Sequence, residues 1–186
     1  MNVEVSPESF TLVDYSAEVI GDIVQEVGRA IGIDSRVTVR VEVDEKTPLG
    51  NSSLESIDPV VIWVESGALE DSKRPRQLST MGTATVLGLL LARVRDRLDP
   101  AFGAPGEDSA LSPAHFTAWE VYAAGRVVRL GYRAHDDRQR RLYHFRIRHG
   151  FSDVGDAVFD ELWTRDGLCW SDITALSDRA AAAVAA

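Results

Sequence analysis

Apolar side chains recur along this chain with two periods, and the densest helical pattern runs from Met81 to Leu98. Leu87, Leu90, Leu91, Val94 and Leu98 share one helical face, and from Ala84 to Ala92 nearly all the remaining positions are apolar too. The first half of this helix is therefore expected to be enclosed by protein. Arg93, Arg95, Asp96 and Arg97 give the second half a polar side. Ser79 or Thr80 serves as its cap, and Asp99-Pro100 ends it because proline cannot continue the hydrogen-bond ladder.

The same 3-4 spacing in Ile20, Ile23, Val24, Val27 and Ile31 predicts a helix from Ser16 to Ile33, with Asp14 or Ser16 as cap and Gly32 as terminator. Residues 1–13 read as an extended arm. Strict alternation of Val37, Val39, Val41 and Val43 with polar residues predicts a half-buried strand over Arg36–Val43. Asp44–Asp58 is a long loop, or a loop holding a short edge strand, because Pro48, Gly50, Asn51 and several serines interrupt it. The β-branched run Val60–Val64 predicts a strand buried on both faces, and Ser72–Arg76 an exposed connection into the core helix.

Pro100–Leu111 reads as surface loop. Ser112-Pro113 opens a helix to about Leu130 that packs Phe116, Trp119, Ala123, Val127 and Leu130 inward. Arg138–Arg148 is ambiguous. Tyr143, Phe145 and Ile147 alternate as in a strand, yet Asp136-Asp137 and Gly150 bracket a run of helix formers, so helix is the preferred reading. Ser152–Arg165 is helical through Val154, Val158 and Leu162. Trp170-Ser171 is read as a hydrophobic staple and cap for a last helix from Asp172 into a fraying alanine tail.

Composition adds bounds. With 45% hydrophobic residues in 186, the chain can bury a core within a single domain, the sheet lying in about 1–100 and helices in about 111–186. The fold class expected is α+β. No apolar run approaches the roughly 20 residues of a membrane span, and no signal-type segment opens the sequence. One cysteine, Cys169, excludes an internal disulfide and suits a reducing interior, so the expected location is cytoplasmic. A net charge of −9 disfavours nucleic acid as a partner. The charge is uneven, however. Arg126–Arg148 holds eight arginines against two aspartates, an excess of six, so the rest of the chain carries −15.

Sequence motifs for catalysis are missing. Gly103-Ala-Pro-Gly lacks the lysine of a phosphate-binding loop, no Gly-x-Ser-x-Gly elbow occurs, and a lone cysteine cannot build a structural zinc site. His115, His135, His144 and His149 show no metal-ligand spacing, so neither metal nor cofactor is expected. Glu120 reads as a solvated residue and Cys169 as a small buried one. The order helix, strand, strand, buried helix resembles the N-terminal half of compact zinc metalloproteases. In those, the helix after the sheet carries His-Glu-x-x-His, whereas here it reads Thr83-Ala-Thr-Val-Leu-Gly-Leu-Leu. The resemblance covers about half the chain and implies a scaffold without its zinc chemistry.

The positive feature is the arginine-rich stretch. Arg126, Arg129, Arg133, Arg140, Arg141, Arg146 and Arg148 are the candidate residues for an acidic partner or an anion, with Tyr132, Tyr143 and Phe145 available to stack. The alternative is that these arginines neutralise the protein's own carboxylates. The sequence therefore points first to a non-catalytic interaction protein that binds a protein partner or itself. A hydrolase or transferase acting on an anionic small molecule is the second reading.

Overall fold

The computed structural model describes residues 1–103, 105–132 and 137–185, the side chains of Asp137, Val184 and Ala185 excepted. The fold is α+β: among the described residues there are a four-stranded mixed sheet, a two-stranded sheet and six α-helices, with a helical C-terminal half. Two compact units divide the chain, one comprising Met1–Arg95 with Leu130–Ala134, the other Asp96–Arg129 with His135–Ala186.

In the first unit the elements are β1 (Asn2–Ser6), α1 (Ala17–Ile31), β2 (Thr38–Asp44), β3 (Ser52–Ile57), β4 (Val60–Glu65), β5 (Glu70–Asp71), β6 (Arg74–Leu78) and most of α2 (Thr80–Leu98). The large sheet has the order β1-β2-β4-β3. β1, β2 and β4 run parallel, with Val39 opposite Val60 and Val41 opposite Ile62, while β3 pairs antiparallel with β4. Alternation sends Val39, Val41, Val43, Val60, Ile62 and Val64 into one core with Ile20, Val24 and Val27 of α1 and Leu87, Leu90, Leu91 and Val94 of α2. Ser16 caps α1 by accepting from the Val19 N–H, and Gly32, at φ 89°, closes it as only a residue tolerant of left-handed backbone can. Ser79 caps α2, its hydroxyl accepting from the Gly82 N–H at 3.1 Å.

One alternative is decided here and three expectations change. Residues 52–57 form the edge strand left open by the sequence, although it is polar throughout most of its length. Ser72–Arg76 is not a plain connection but enters a small hairpin of β5 and β6. β4 is fully buried on one face only, Val61 and Trp63 being half-covered, because the core lies on a single side. On α2, Arg93 and Asp96 are buried rather than solvated, at 5% and 0% exposure.

The second unit contains the last turn of α2, α3 (Pro113–Arg129), α4 (Asp137–His149), α5 (Asp153–Thr164) and α6 (Trp170–Ala185). Arg138–Arg148 is thus helical. Its core holds Trp119, Tyr122, Val127, Phe145, Val158, Phe159, Leu162 and Ile173. Gly125 lets α3 and α5 touch backbone to backbone. A Cβ there would lie 2.1 Å from the Trp163 carbonyl oxygen. Leu130 falls beyond the end of α3 and is 43% exposed, not inward. The residue before α6 is Cys169, and Asp172 rather than Ser171 satisfies that helix start, reaching back to accept the Cys169 N–H at 3.0 Å, one half of a capping box.

Candidate functional site

The second unit is centred on a buried charge. Asp96 is fully enclosed and accepts from both Arg126 terminal nitrogens, at 2.7 and 2.6 Å, and from the Trp119 indole N–H at 2.8 Å. The Arg126 guanidinium lies 4.2 Å from the centre of the Tyr122 ring, and the Tyr122 hydroxyl accepts the Leu168 N–H. Burial raises the Tyr122 pKa above its usual value. This network ties the last turn of α2, α3 and the segment leading into α6 together, and it engages Arg126 internally.

Two further candidate arginines also serve the fold. Arg129 donates to the Trp163 and Arg165 carbonyls and pairs with Asp166, so it satisfies the C-terminal end of α5 where helical carbonyls lack partners. Arg146 makes a two-pronged pair with Asp156 in the first turn of α5, and that guanidinium holds the Asp156 pKa below the ordinary carboxylate value. Arg138 similarly pairs with Asp160. Arg133 and His135 lie outside the described residues.

Arg140, Arg141 and Arg148 have another setting, all on α4. This helix buries Phe145 and His149 by their i, i+4 spacing. Arg140 and Arg141, with His144, face Thr117, Glu120 and Val121 of α3 across a hollow of about 260 Å³. The Thr117 hydroxyl donates to the Pro113 carbonyl at 2.8 Å and keeps its lone pairs for other donors. Glu120 is therefore a wall of this hollow and only half exposed, not simply solvated.

The outward face of α4 carries Tyr143 and Ile147, one turn apart and 56% and 50% exposed. Arg140, His144 and Arg148 form a parallel stripe beside them, also at four-residue spacing and exposed. Arg148 makes no ion pair or hydrogen bond among the described residues. Gly150, at φ 90°, turns the chain out of the helix and places Phe151, 65% exposed, with its ring 6.4 Å from that of Tyr143. Val154, in the first turn of α5, is 44% exposed.

One arrangement of catalytic residue types has no signal in the sequence. The ring of His149 stacks on Phe145 at 3.9 Å, and Nδ1 donates to the Phe145 carbonyl at 3.1 Å, which leaves Nε2 to accept from the Ser177 hydroxyl at 2.8 Å. Both side chains are closed to solvent, at 2% and 1% exposure, and burial lowers the His149 pKa. A serine–histidine pair so enclosed, with a carbonyl behind the imidazole, is a structural bond rather than an accessible nucleophile. His115 pairs with Asp178 at 2.9 Å. The Cys169 thiol donates to Asp172 at 3.1 Å and is part-exposed, not buried. Among the described residues no group of three or more His, Cys, Asp or Glu gathers for a metal, and no helix is long and apolar enough to cross a membrane. Compared with known proteins, the chain matches no protein-family model, no curated protein and no solved structure.

Proposed function

We propose that this is a non-catalytic binding protein that engages a protein partner through the outward face of α4 and the turn into α5. The supporting observation is the gathering of Tyr143, Ile147, Phe151 and Val154, each at least 44% exposed, beside an arginine-bearing stripe. Apolar side chains scattered singly over a surface need no explanation. A contiguous group containing aromatics and rimmed by arginine has the composition of an interface. The test is affinity capture with crosslinking in the native host, comparing wild type with a Tyr143→Ser, Ile147→Ser double variant of unchanged melting temperature. A protein partner, or a second copy, held by wild type and lost from the variant is expected. Identical captures from both, with wild type a monodisperse monomer in light scattering, would remove the reading.

The hollow between α3 and α4 favours a second reading, a hydrolase or transferase acting on an anionic small molecule. There Arg140 and Arg141 supply positive charge, and Glu120 and His144 are the groups able to exchange protons. Titration with inorganic phosphate and simple carboxylates, followed by side-chain NMR of Arg140, Arg141 and His144, checks it. Unmoved resonances at millimolar ligand exclude it. The zinc-peptidase-like order of elements adds no chemistry to either reading, since α2 carries no His, Cys or Glu.

A further inference from the structure

Resting on the protein-binding reading above, we infer that the occupant of this surface is an acidic amphipathic helix of a partner protein, laid along α4 with its apolar side on Tyr143 and Ile147 and its carboxylates against Arg148. Three features of the surface specify that chemistry.

The first is linear geometry. Tyr143 and Ile147 form one row, and Arg140, His144 and Arg148 the adjacent row, each with four-residue spacing along the helix axis. From residue 140 to 148 the rows extend for roughly 12 Å at about 1.5 Å per residue. Two parallel rows, one apolar and one basic, are matched by a second helix whose leucine-type residues recur at i, i+3 and i+4 beside acidic ones. Phe151 and Val154 widen the apolar row at its C-terminal end.

The second is charge. α4 carries Arg138, Arg140, Arg141, Arg146 and Arg148 against one acid, Asp137, on a chain of net charge −9. Arg138 and Arg146 are engaged by Asp160 and Asp156. Arg148 stands exposed with no ion pair among the described residues. A local positive field on an acidic protein attracts a short acidic segment and repels a long polyanion, whose charges also meet the remainder of the surface. Net repulsion between two chains of −9 likewise disfavours a second copy as the occupant.

The third is the apolar content. Tyr143 and Phe151, with edge-to-face rings, and Ile147 present side chains that a phosphate backbone cannot dehydrate. A helix bringing leucines to them can.

The experiment uses the full chain and a stapled helical peptide of about 18 residues, built of Leu at i, i+3, i+4 and i+7 with Glu elsewhere. A twin peptide carries Lys in place of Glu. Binding is read by fluorescence anisotropy and amide NMR. Saturable binding of the Glu peptide is expected, weaker as salt rises, with shifts confined to α4, Phe151 and the start of α5. Ile147→Glu and Arg148→Glu each weaken it at least about tenfold. Both alter exposed side chains, and unchanged circular dichroism melts keep them interpretable. The Lys peptide should bind at least about tenfold more weakly. Failure of the Glu peptide to bind, equal binding of its Lys twin, or shifts elsewhere on the protein would overturn the inference. So would dimerisation of the free chain that Ile147→Glu abolishes. If the host capture still loses a partner from the Tyr143→Ser, Ile147→Ser variant, only the acidic-helix identity has failed. If that capture is also negative, the protein-binding reading has failed with it.

Discussion

Replacing Asp96 by alanine would strand a positive charge inside the protein. The Asp96 side chain is 0% exposed and that of Arg126 only 14%, so neither is well screened by water. Removing one member of a buried pair costs about 3–5 kcal/mol, chiefly the penalty of leaving the other charge uncompensated. The Trp119 indole N–H also loses its acceptor, and the Tyr122 ring beneath Arg126 offers only partial relief. Against a typical reserve of about 5–15 kcal/mol this is a large fraction. Urea unfolding read by tryptophan fluorescence and far-ultraviolet circular dichroism should give a much lower midpoint at unchanged slope. The double variant Asp96→Leu with Arg126→Met should recover most of the loss, because an apolar pair of similar volume avoids desolvating two charges. A cost below about 1 kcal/mol for Asp96→Ala, or a double variant as unstable as the two singles added together, would refute the argument.

Leu91→Ala, at a position with no exposure in the sheet core, should cost about 2–5 kcal/mol in the same assay. Arg138→Ala, breaking a pair 42% and 60% exposed, should change stability by less than about 1 kcal/mol. Gly125→Ala forces a methyl against the Trp163 carbonyl and should destabilise by about 1–3 kcal/mol, measured as a fall in melting temperature. Burial lowers the pKa of His149 in the fold, so below its unfolded value of about 6.5 the unfolded chain takes the proton more readily. That contribution is complete above about pH 6.5 and is lost as pH falls toward the lower folded value. His149→Gln should flatten the corresponding stretch of a stability–pH curve, and an unchanged slope would show that the imidazole is not the group responsible.

The periodic elements were legible because each has one face to bury. α1 shows this through Ile20, Val24 and Val27, and β2 through Val39, Val41 and Val43. β3 was harder to read because Ser-Ser-Leu-Glu-Ser-Ile gains its conformation from hydrogen bonds to β4 rather than from burial. α4 resisted a clean wheel for a physical reason: Phe145 and His149 point inward while Tyr143 and Ile147 point outward. The wide apolar arc is thus shared between the core and the exposed side of the helix. What pairs with each arginine could not be read locally. Asp96 lies 30 residues from Arg126, and the Trp163 carbonyl 34 from Arg129. Asp96 was expected outside because periodicity treats a charge as solvated, whereas three donors converge on it within the protein. His149 and Ser177, 28 apart, gave no sequence signal for the same reason.

The polar edge strand has a bearing on how this protein survives at high concentration. β3 ends the large sheet, with no further strand beyond it among the described residues. An open edge displays unpaired N–H and C=O groups to which another chain can add, the first step toward fibres. Glu55 stands exposed on that strand, and the register slips between Leu54 and Ser56, breaking the flat ladder that a newcomer would need. The serines at 52, 53 and 56 offer an incoming strand little apolar surface to share. The residues that make β3 weak as a strand therefore also make it a poor template, so this edge of the sheet does not invite a second molecule.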